Sequence, residues 1–301
     1  MHCINQKIHF PFCSEISLYI KREDLIHPIV SGNKFRKLKY NILQAKKENK
    51  SKIITFGGAF SNHIAAVAFA AKENNLECIG IIRGEELGDK IEDNPTLRFA
   101  QKCGMQFEFV SRTSYRLKAE PIFIENLKQK YGDFYLVPEG GTNELAVKGC
   151  EEILSPTDED FDYVCCSIGT GGTISGLINS SKTHQRILGF PALKGDFLKE
   201  DIRKFARNSN WDLNTDYHFG GYGKINSELI EFINRFYKET NIPLDPIYTG
   251  KMIFGVIDLI QNGYFPKGSK ILAIHTGGIQ GIQGMNTTLK NKKLPLINTY
   301  E

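Results

Sequence analysis

The chain has 301 residues, which is enough for one large domain or for two smaller ones. Hydrophobic residues make up 41% and charged residues 24%, as in an ordinary globular protein. The net charge of +4 is small and the lysines and arginines are dispersed, so neither a nucleic-acid partner nor a membrane partner is indicated.

Short runs rich in β-branched residues alternate with longer segments of helical period, which predicts an α/β protein with mainly parallel sheets. In chain order the predicted elements are helix 33–48, strand 52–56, helix 63–74, strand 78–83, helix 95–103, strands 106–110 and 134–137, helix 143–153, strand 163–167, helix 173–179, strand 186–189, helices 229–240 and 251–261, and strand 270–275. The acidic stretch Thr157–Asp162 is interpreted as an exposed loop ahead of a strand.

Cysteine usage and the N-terminal residues bear on the compartment. The first 20 residues contain no apolar run of signal-peptide or membrane-span length. The seven cysteines are odd in number and lack paired metal-ligand spacing. We therefore expect no disulfide framework and no metal site, and a reduced, cytoplasmic protein fits best.

The first predicted helix carries a lysine in its first turn, within Gly32-Asn33-Lys34. The positive end of a helix disfavours a second positive charge. It therefore favours the neutral amine of Lys34, which is the form that attacks an aldehyde. Taken alone, Lys34 could equally be an ordinary solvated lysine, and Arg36, Lys37 and Lys39 are interpreted as an exposed basic helix face.

The second glycine-rich junction, Phe56–His63, also connects a strand to a helix. Ser61 can cap that helix, while Asn62 and His63 offer hydrogen-bond donors in its first turn. The alternative interpretation is a structural cap followed by a surface histidine.

The third junction, Ser167–Thr173, follows an apolar strand and precedes a helix. Its glycines allow the backbone to approach a ligand closely, and the N-terminus of the next helix favours an anion, especially a phosphate. The loop lacks the lysine of a nucleotide P-loop and the spacing of a dinucleotide site. It therefore indicates a phosphate but neither ATP nor NAD, with a tight turn that binds no ligand as the alternative.

Several motifs together resemble one enzyme family, that of 1-aminocyclopropane-1-carboxylate (ACC) deaminase and D-cysteine desulfhydrase. These are pyridoxal phosphate (PLP) enzymes of the tryptophan-synthase-β-like group. The motifs that carry the resemblance, in this order, are Gly32-Asn33-Lys34, Arg36-Lys37-Leu38, Ser61-Asn62-His63, Gly169–Thr173, Tyr248-Thr249-Gly250-Lys251 and His275–Gly278. The likeness extends from about Tyr19 to Gly278, which is most of the chain.

The resemblance implies a two-domain fold-type-II architecture, with open, twisted, mostly parallel sheets flanked by helices. The small α/β domain would be inserted at residues 47–145, and residues 1–46 and 146–301 would form the large PLP-binding domain. The cofactor and a small amino-acid substrate would lie in the cleft between them, where ligands commonly bind. The resemblance also implies a homodimer.

Residue roles are implied in the same way. Lys34 would hold PLP as a Schiff base, and Gly169, Thr170, Gly171, Gly172 and Thr173 would bind its phosphate. Asn62 would contact its phenolic oxygen, and Thr249 would lie beside its pyridine nitrogen. Ser61 would bind the substrate carboxylate. The other residues that would contact the substrate are Asn62, His63 and the active-site tyrosines Tyr222 and Tyr248.

Position 249 bears on the choice of reaction. ACC deaminases have a glutamate there, whose charge would hold the pyridine nitrogen protonated. ACC has no α proton, so its ring opening makes a heavy demand on the cofactor as an electron sink. Because this chain has Thr249, the sequence favours α,β-elimination from D-cysteine, giving pyruvate, ammonia and sulfide.

Other functions stay open at this point. The first alternative is deamination of ACC to 2-oxobutyrate and ammonia. A β-replacement enzyme and a PLP-binding protein without turnover are further alternatives. The segment Gly189–Gly195 has no substrate role that we can assign from the sequence.

Overall fold

The computed structural model describes residues 3–9, 15–195 and 198–298, and these form two β-sheets flanked by helices. The strands are β1 (Asn5–Ile8), β2 (Ser17–Lys21), β3 (Lys52–Gly58), β4 (Glu77–Arg83), β5 (Met105–Val110), β6 (Tyr135–Val137), β7 (Tyr163–Ile168), β8 (Arg186–Pro191), β9 (Trp211–Leu213) and β10 (Lys270–Ile274). The six-stranded sheet has the order β1-β2-β10-β7-β8-β9, and the four-stranded sheet has the order β5-β4-β3-β6. All pairs are parallel except β1 with β2.

The helices cover the faces of these sheets. They are α1 (Asn33–Lys47), α2 (Asn62–Glu73), α3 (Pro95–Lys102), α4 (Arg112–Arg116), α5 (Pro121–Tyr131), α6 (Glu144–Cys150), α7 (Gly172–Ser180), α8 (Leu198–Arg203), α9 (Ser227–Thr240), α10 (Thr249–Gln261) and α11 (Gly281–Asn291). Within the ranges that the structure describes, no helix is both long and apolar enough to span a membrane.

Each sheet is buried on both faces, as parallel sheets usually are. In the six-stranded sheet, Cys165 packs with α9 and α10 on one face, and its neighbour Cys166 packs with α7 on the other. In the four-stranded sheet, Ile53 belongs to the core under α2 and α3, whereas Ile54 belongs to the core under α5. The alternation of side chains along a strand therefore divides each sheet's apolar residues between two cores.

All the predicted strands and helices are confirmed in position, with their ends moved by up to three residues. The prediction missed the elements β1, β2, β9, α4, α5, α8 and α11. The predicted domain division at residues 47–145 stays a proposal. It is supported by chain order, because β3 to β6 form the four-stranded sheet while strands from both sides of that segment form the other sheet.

The acidic stretch before β7 is only partly exposed, which corrects its interpretation as a solvated loop. Asp158 is buried, and its Oδ2 lies 2.7 Å from the Nζ of Lys21 on β2, where both side chains are 1% exposed. Its other oxygen accepts a hydrogen bond from Asn5 Nδ2 at 2.7 Å, and the Ser155 backbone N–H donates to Oδ2 at 2.8 Å. The pair thus ties β1 and β2 to the segment that leads into β7.

We predict that Lys21→Met lowers the free energy of unfolding by about 3–5 kcal/mol, because it leaves the Asp158 carboxylate buried without a cation. The matched control is Lys270→Met, which removes an exposed lysine from the neighbouring strand β10. Urea unfolding of the two variants and the parent protein measures the difference. Equal losses in both variants would show that the buried pair contributes nothing beyond a surface lysine.

Candidate active site

A cavity of about 470 Å³ lies where the carboxyl ends of strands from both sheets face each other. Its wall includes residues at or just after the ends of β3, β4, β6, β7 and β10, together with the first turn of α1. Ligands of parallel α/β proteins bind at this edge of the sheet, in cavities of roughly 300–1,000 Å³. The fold therefore brings the separate glycine-rich junctions of the sequence to one place.

The first turn of α1 places Lys34 in this cavity. Gly32 precedes the helix with φ 62° and packs so tightly that a Cβ atom there would lie 2.0 Å from the carbonyl oxygen of Thr276. No side chain caps the N-terminus of α1. The Nζ of Lys34 lies 3.5 Å from the Gly140 carbonyl oxygen. Burial, followed by the charge of Lys37, lowers the pKa of Lys34 to about 7, so a large fraction of its amine is neutral at neutral pH.

The interpretation of Arg36 and Lys37 as an exposed basic face is wrong. Arg36 is buried and donates two hydrogen bonds of 2.9 Å to the carboxylate of Glu23. Lys37 is 2% exposed and lines the cavity. Its Nζ donates to Gly140 O and to Thr142 Oγ1, both at 2.9 Å, and burial lowers its pKa. Of the three basic residues, Lys39 alone fits the interpretation, because its side chain is 40% exposed.

The loop after β7 presents an uncapped helix N-terminus to the same cavity. Gly171 has φ 82° immediately before α7, and no side chain accepts from the first N–H groups of that helix. The Thr173 hydroxyl oxygen accepts a hydrogen bond from Asn33 Nδ2 at 2.8 Å, which links this loop to α1. The Thr170 and Thr142 hydroxyl oxygens lie 2.6 Å apart. Free N–H groups at a helix N-terminus are a suitable site for a phosphate.

The residues of this cavity fit PLP in their charge and in their chemistry. Within the described part of the chain, neither Lys34 nor Lys37 forms an ion pair with a carboxylate. Two poorly solvated amines side by side without counter-ions are costly unless an anion joins them. A phosphate at the start of α7 would supply that anion, and the neutral amine of Lys34 could bond to an aldehyde.

The junction after β3 places Ser61 as the N-cap of α2. Its Oγ accepts hydrogen bonds from the backbone N–H groups of His63 at 3.2 Å and Ile64 at 3.4 Å. The hydroxyl hydrogen is not used in these bonds, so it can be donated to a ligand in the cavity, which Ser61 lines together with Asn62 and His63. A carboxylate at this helix N-terminus would be stabilised further by the helix dipole.

The alternative interpretation of His63 as a surface residue is wrong, because it is 2% exposed. Its Nε2 lies 2.8 Å from the Thr55 hydroxyl, which also donates to the Val137 carbonyl oxygen at 2.8 Å. Burial, followed by the charges of Lys34 and Lys37, lowers the pKa of His63 well below its ordinary value. The imidazole is therefore neutral at neutral pH and adds no charge beside Lys34.

The two predicted tyrosines meet on the other side of the cavity. The rings of Tyr222 and Tyr248 have centroids 6.2 Å apart and an interplanar angle of 61°. Burial raises the pKa of both hydroxyl groups, and that of Tyr248 rises well above its ordinary value. Both phenols are therefore protonated at neutral pH and can donate a proton or a hydrogen bond.

Thr249 is not among the residues that line the cavity, and its place beside the pyridine nitrogen stays a prediction. It is fully buried as the first residue of α10. Its hydroxyl donates to Asp245 Oδ1 at 2.7 Å and accepts from the Asp245 backbone N–H at 2.9 Å. The side chain is thus engaged in the turn before the helix, because Asp245 serves as the cap that α10 needs. Gly172 also lies outside the cavity lining, although it begins α7.

Besides Lys37, the polar residues that line the cavity but were given no role from the sequence include Arg83, Glu139 and Thr276. Arg83 ends β4, Glu139 follows β6, and Thr276 follows β10, where its hydroxyl oxygen lies 3.2 Å from that of Ser167. Their position at the carboxyl ends of parallel strands is the signal that could have identified them. For Lys37 the signal was its spacing of three residues from Lys34, which places both on one side of a helix.

Known proteins match the chain over most of its length. A family profile described as "Pyridoxal-phosphate dependent enzyme" matches residues 9–277. A Pyrococcus horikoshii protein, which its name assigns provisionally to ACC deaminase, is 32% identical over 287 residues, covering 88% of this chain and 85% of its own. The mitochondrial bifunctional D-cysteine desulfhydrase/ACC deaminase of Arabidopsis thaliana is 32% identical over 296 residues, covering 88% of this chain and 73% of its own.

A solved structure agrees with this match. The crystal structure of an ACC deaminase homologue has a TM-score of 0.83 and 30% identity, and the match covers 97% of this chain and 94% of that one. The predicted fold-type-II α/β architecture, PLP as the cofactor and the resemblance to ACC deaminases and D-cysteine desulfhydrases are confirmed. Because the family profile covers most of the chain and the relatives agree with it, this chain belongs to the pyridoxal-phosphate dependent enzymes and is of the ACC deaminase-like type.

Proposed function

We propose that the protein deaminates a small α-amino acid and that its reaction is the ring opening of ACC to 2-oxobutyrate and ammonia. The observation that carries the proposal is the grouping, in one cavity, of a neutral Lys34 amine with the protonated phenols of Tyr222 and Tyr248. Ring opening breaks a carbon–carbon bond of ACC, and the released carbon must gain a proton. The names of the relatives support the same reaction, since both include ACC deaminase.

In this proposal each cavity residue has a distinct role in binding the substrate or in transferring a proton. Bound PLP supplies an electron sink for negative charge that develops on the substrate. The Ser61 hydroxyl and the N-terminus of α2 bind the substrate carboxylate. The phenol oxygens of Tyr222 and Tyr248 deliver the proton to the released carbon, and the Lys34 amine accepts and returns protons beside them.

The proposal reverses the preference for D-cysteine that Thr249 suggested from the sequence. That preference depended on the absence of a glutamate at position 249, which the structure does not change; the Thr249 hydroxyl is bonded to Asp245. The names of the relatives support the reversal. Elimination from D-cysteine is the second candidate function. The name of the bifunctional plant relative supports it, and the Lys34 amine can remove the α proton that D-cysteine has and ACC lacks.

We predict that the PLP-loaded protein forms 2-oxobutyrate and ammonia from ACC. ACC, D-cysteine and L-cysteine are supplied separately, and the keto acid is identified by chromatography. The control is Lys34→Ala, for which we expect a loss of at least about a hundredfold because the amine that exchanges protons is removed. Pyruvate and sulfide from D-cysteine, with no product from ACC, would establish the second candidate instead.

The lowered pKa of Lys34 predicts how attachment of PLP depends on pH. The amine is neutral above its pKa, so the rate of attachment to the cofactor-free protein should rise with pH through a midpoint near 7 and then level off. The rate is measured by stopped-flow absorbance, and borohydride reduction followed by mass spectrometry identifies the modified lysine. A midpoint near the ordinary lysine value of 10.5 would contradict the lowered pKa.

We predict that Lys37→Met weakens PLP binding by about tenfold or more, because a charged donor to the phosphate is lost. The midpoint for attachment at Lys34 should also move to higher pH, since the Lys37 charge helps to lower that pKa. Lys39→Met is the matched control, because Lys39 lies on the same helix with an exposed side chain. Equal PLP affinities in the two variants would remove Lys37 from the proposed phosphate site.

A further inference from the structure

Lys251 is a buried cation whose role is not explained by the proposed chemistry. It lies in the first turn of α10 and is 2% exposed, yet it does not line the cavity. No carboxylate lies within ion-pair distance of its Nζ among the described residues. Instead its Nζ donates to two backbone carbonyl oxygens, those of His218 and Gly221, both at 2.9 Å.

This arrangement opposes three general preferences. A cation near the N-terminus of a helix is disfavoured by the helix dipole. A buried ammonium group without a counter-ion is disfavoured by the loss of hydration, and burial lowers the pKa of Lys251 to about 8. Lysine is also rarely buried at all. The two carbonyl groups that it binds must therefore matter enough to offset these costs.

The two carbonyl groups belong to the loop that carries Tyr222. This loop needs an external restraint, because four of its residues have positive φ: Phe219, Gly220, Gly221 and Gly223. The glycines at three of these four positions permit the turn but also increase the freedom of the chain. Tyr222 itself is 45% exposed, so packing fixes it only in part.

The same helix contacts the loop at two further points along one side. The ring of Phe254 packs edge-on against Phe219 with centroids 5.0 Å apart. Asp258 accepts a hydrogen bond of 2.7 Å from the Tyr217 hydroxyl. Lys251, Phe254 and Asp258 are spaced three and four residues apart, which places them on one face of α10.

The other tyrosine is joined to this helix directly. Tyr248 immediately precedes α10, and its backbone N–H donates to Asp245 Oδ2 at 3.0 Å. One helix therefore fixes Tyr248 by its N-terminal turn and the Tyr222 loop by its side. The separation of the two phenols depends on how that loop is held against the helix.

We propose that Lys251 is a positioning residue that fixes the loop 217–224 on α10 and thereby sets Tyr222 opposite Tyr248. The role in activity rests on the proposed function, whereas the restraint on the loop does not. A lysine suits the position because one Nζ can donate to two carbonyl groups at once. Methionine has a similar length but donates to neither, and glutamine keeps one donor group on a shorter chain.

The test compares Lys251→Met and Lys251→Gln with Lys224→Met, which removes an exposed lysine from the same loop. The first measurement is amide hydrogen exchange of the cofactor-free protein. We expect exchange in residues 217–224 to be about tenfold faster in Lys251→Met and less accelerated in Lys251→Gln. Exchange in β10 and in the Lys224→Met loop should match the parent protein. Unchanged loop exchange in both Lys251 variants would overturn the proposal whatever reaction the enzyme catalyses.

The second measurement is a double-mutant cycle with Tyr222→Phe on the substrate that the PLP-loaded parent turns over. If Lys251 acts through Tyr222, Lys251→Met lowers kcat/KM by about tenfold in the parent but has little effect in the Tyr222→Phe background. Equal losses in both backgrounds would overturn the link to Tyr222. A parent protein that turns over neither ACC nor D-cysteine would contradict the proposed function, while the exchange measurement would still decide whether Lys251 holds the loop.

Discussion

The site depends on the position of the first turn of α1 between the two sheets. Gly32 packs directly on the backbone of Thr276 at the end of β10, and Asn33 is bonded to Thr173 at the start of α7. One turn later, Arg36 forms a buried two-bond pair with Glu23. These contacts fix α1 to the six-stranded sheet from both sides. Because Lys34 lies between them along the helix, its amine is held in the cavity, where no carboxylate of the described residues pairs with it.

The electrostatics of the cavity follow from that position. Lys37 is buried and Lys34 is partly buried beside it, so each ammonium group loses hydration, and the Lys37 charge lowers the pKa of Lys34 further. His63 stays neutral for the same reasons, and the phenols of Tyr222 and Tyr248 stay protonated. A phosphate at the N-terminus of α7 would relieve the repulsion between the lysines. A ligand that carries both a phosphate and an aldehyde is thus matched to the anion site and to the neutral amine at the same time.

The sequence predicted the parallel core of the fold because its buried strands are short, continuous apolar runs followed by glycine-rich turns. It missed β1 and β2, whose residues mix lysines with apolar side chains; the burial of Lys21 is explained only by Asp158, 137 positions along the chain. Lys37 was misinterpreted for a related reason. From the sequence alone, a basic helix face is expected to be exposed to solvent, and its burial against a second sheet becomes evident only in the folded structure.

Thr249 illustrates a different limit of sequence reasoning. Its position after Tyr248 matches the family motif, but the direction of its side chain is set by Asp245, a residue outside that motif. Asp245 accepts from the backbone N–H groups of Ile247, Tyr248 and Thr249, and so caps α10. A threonine at this point completes the cap, because its hydroxyl both donates to the carboxylate and accepts from the Asp245 N–H. The Thr249 hydroxyl is therefore engaged in the helix cap, while the same helix follows directly on Tyr248 and contacts the loop of Tyr222 along its side.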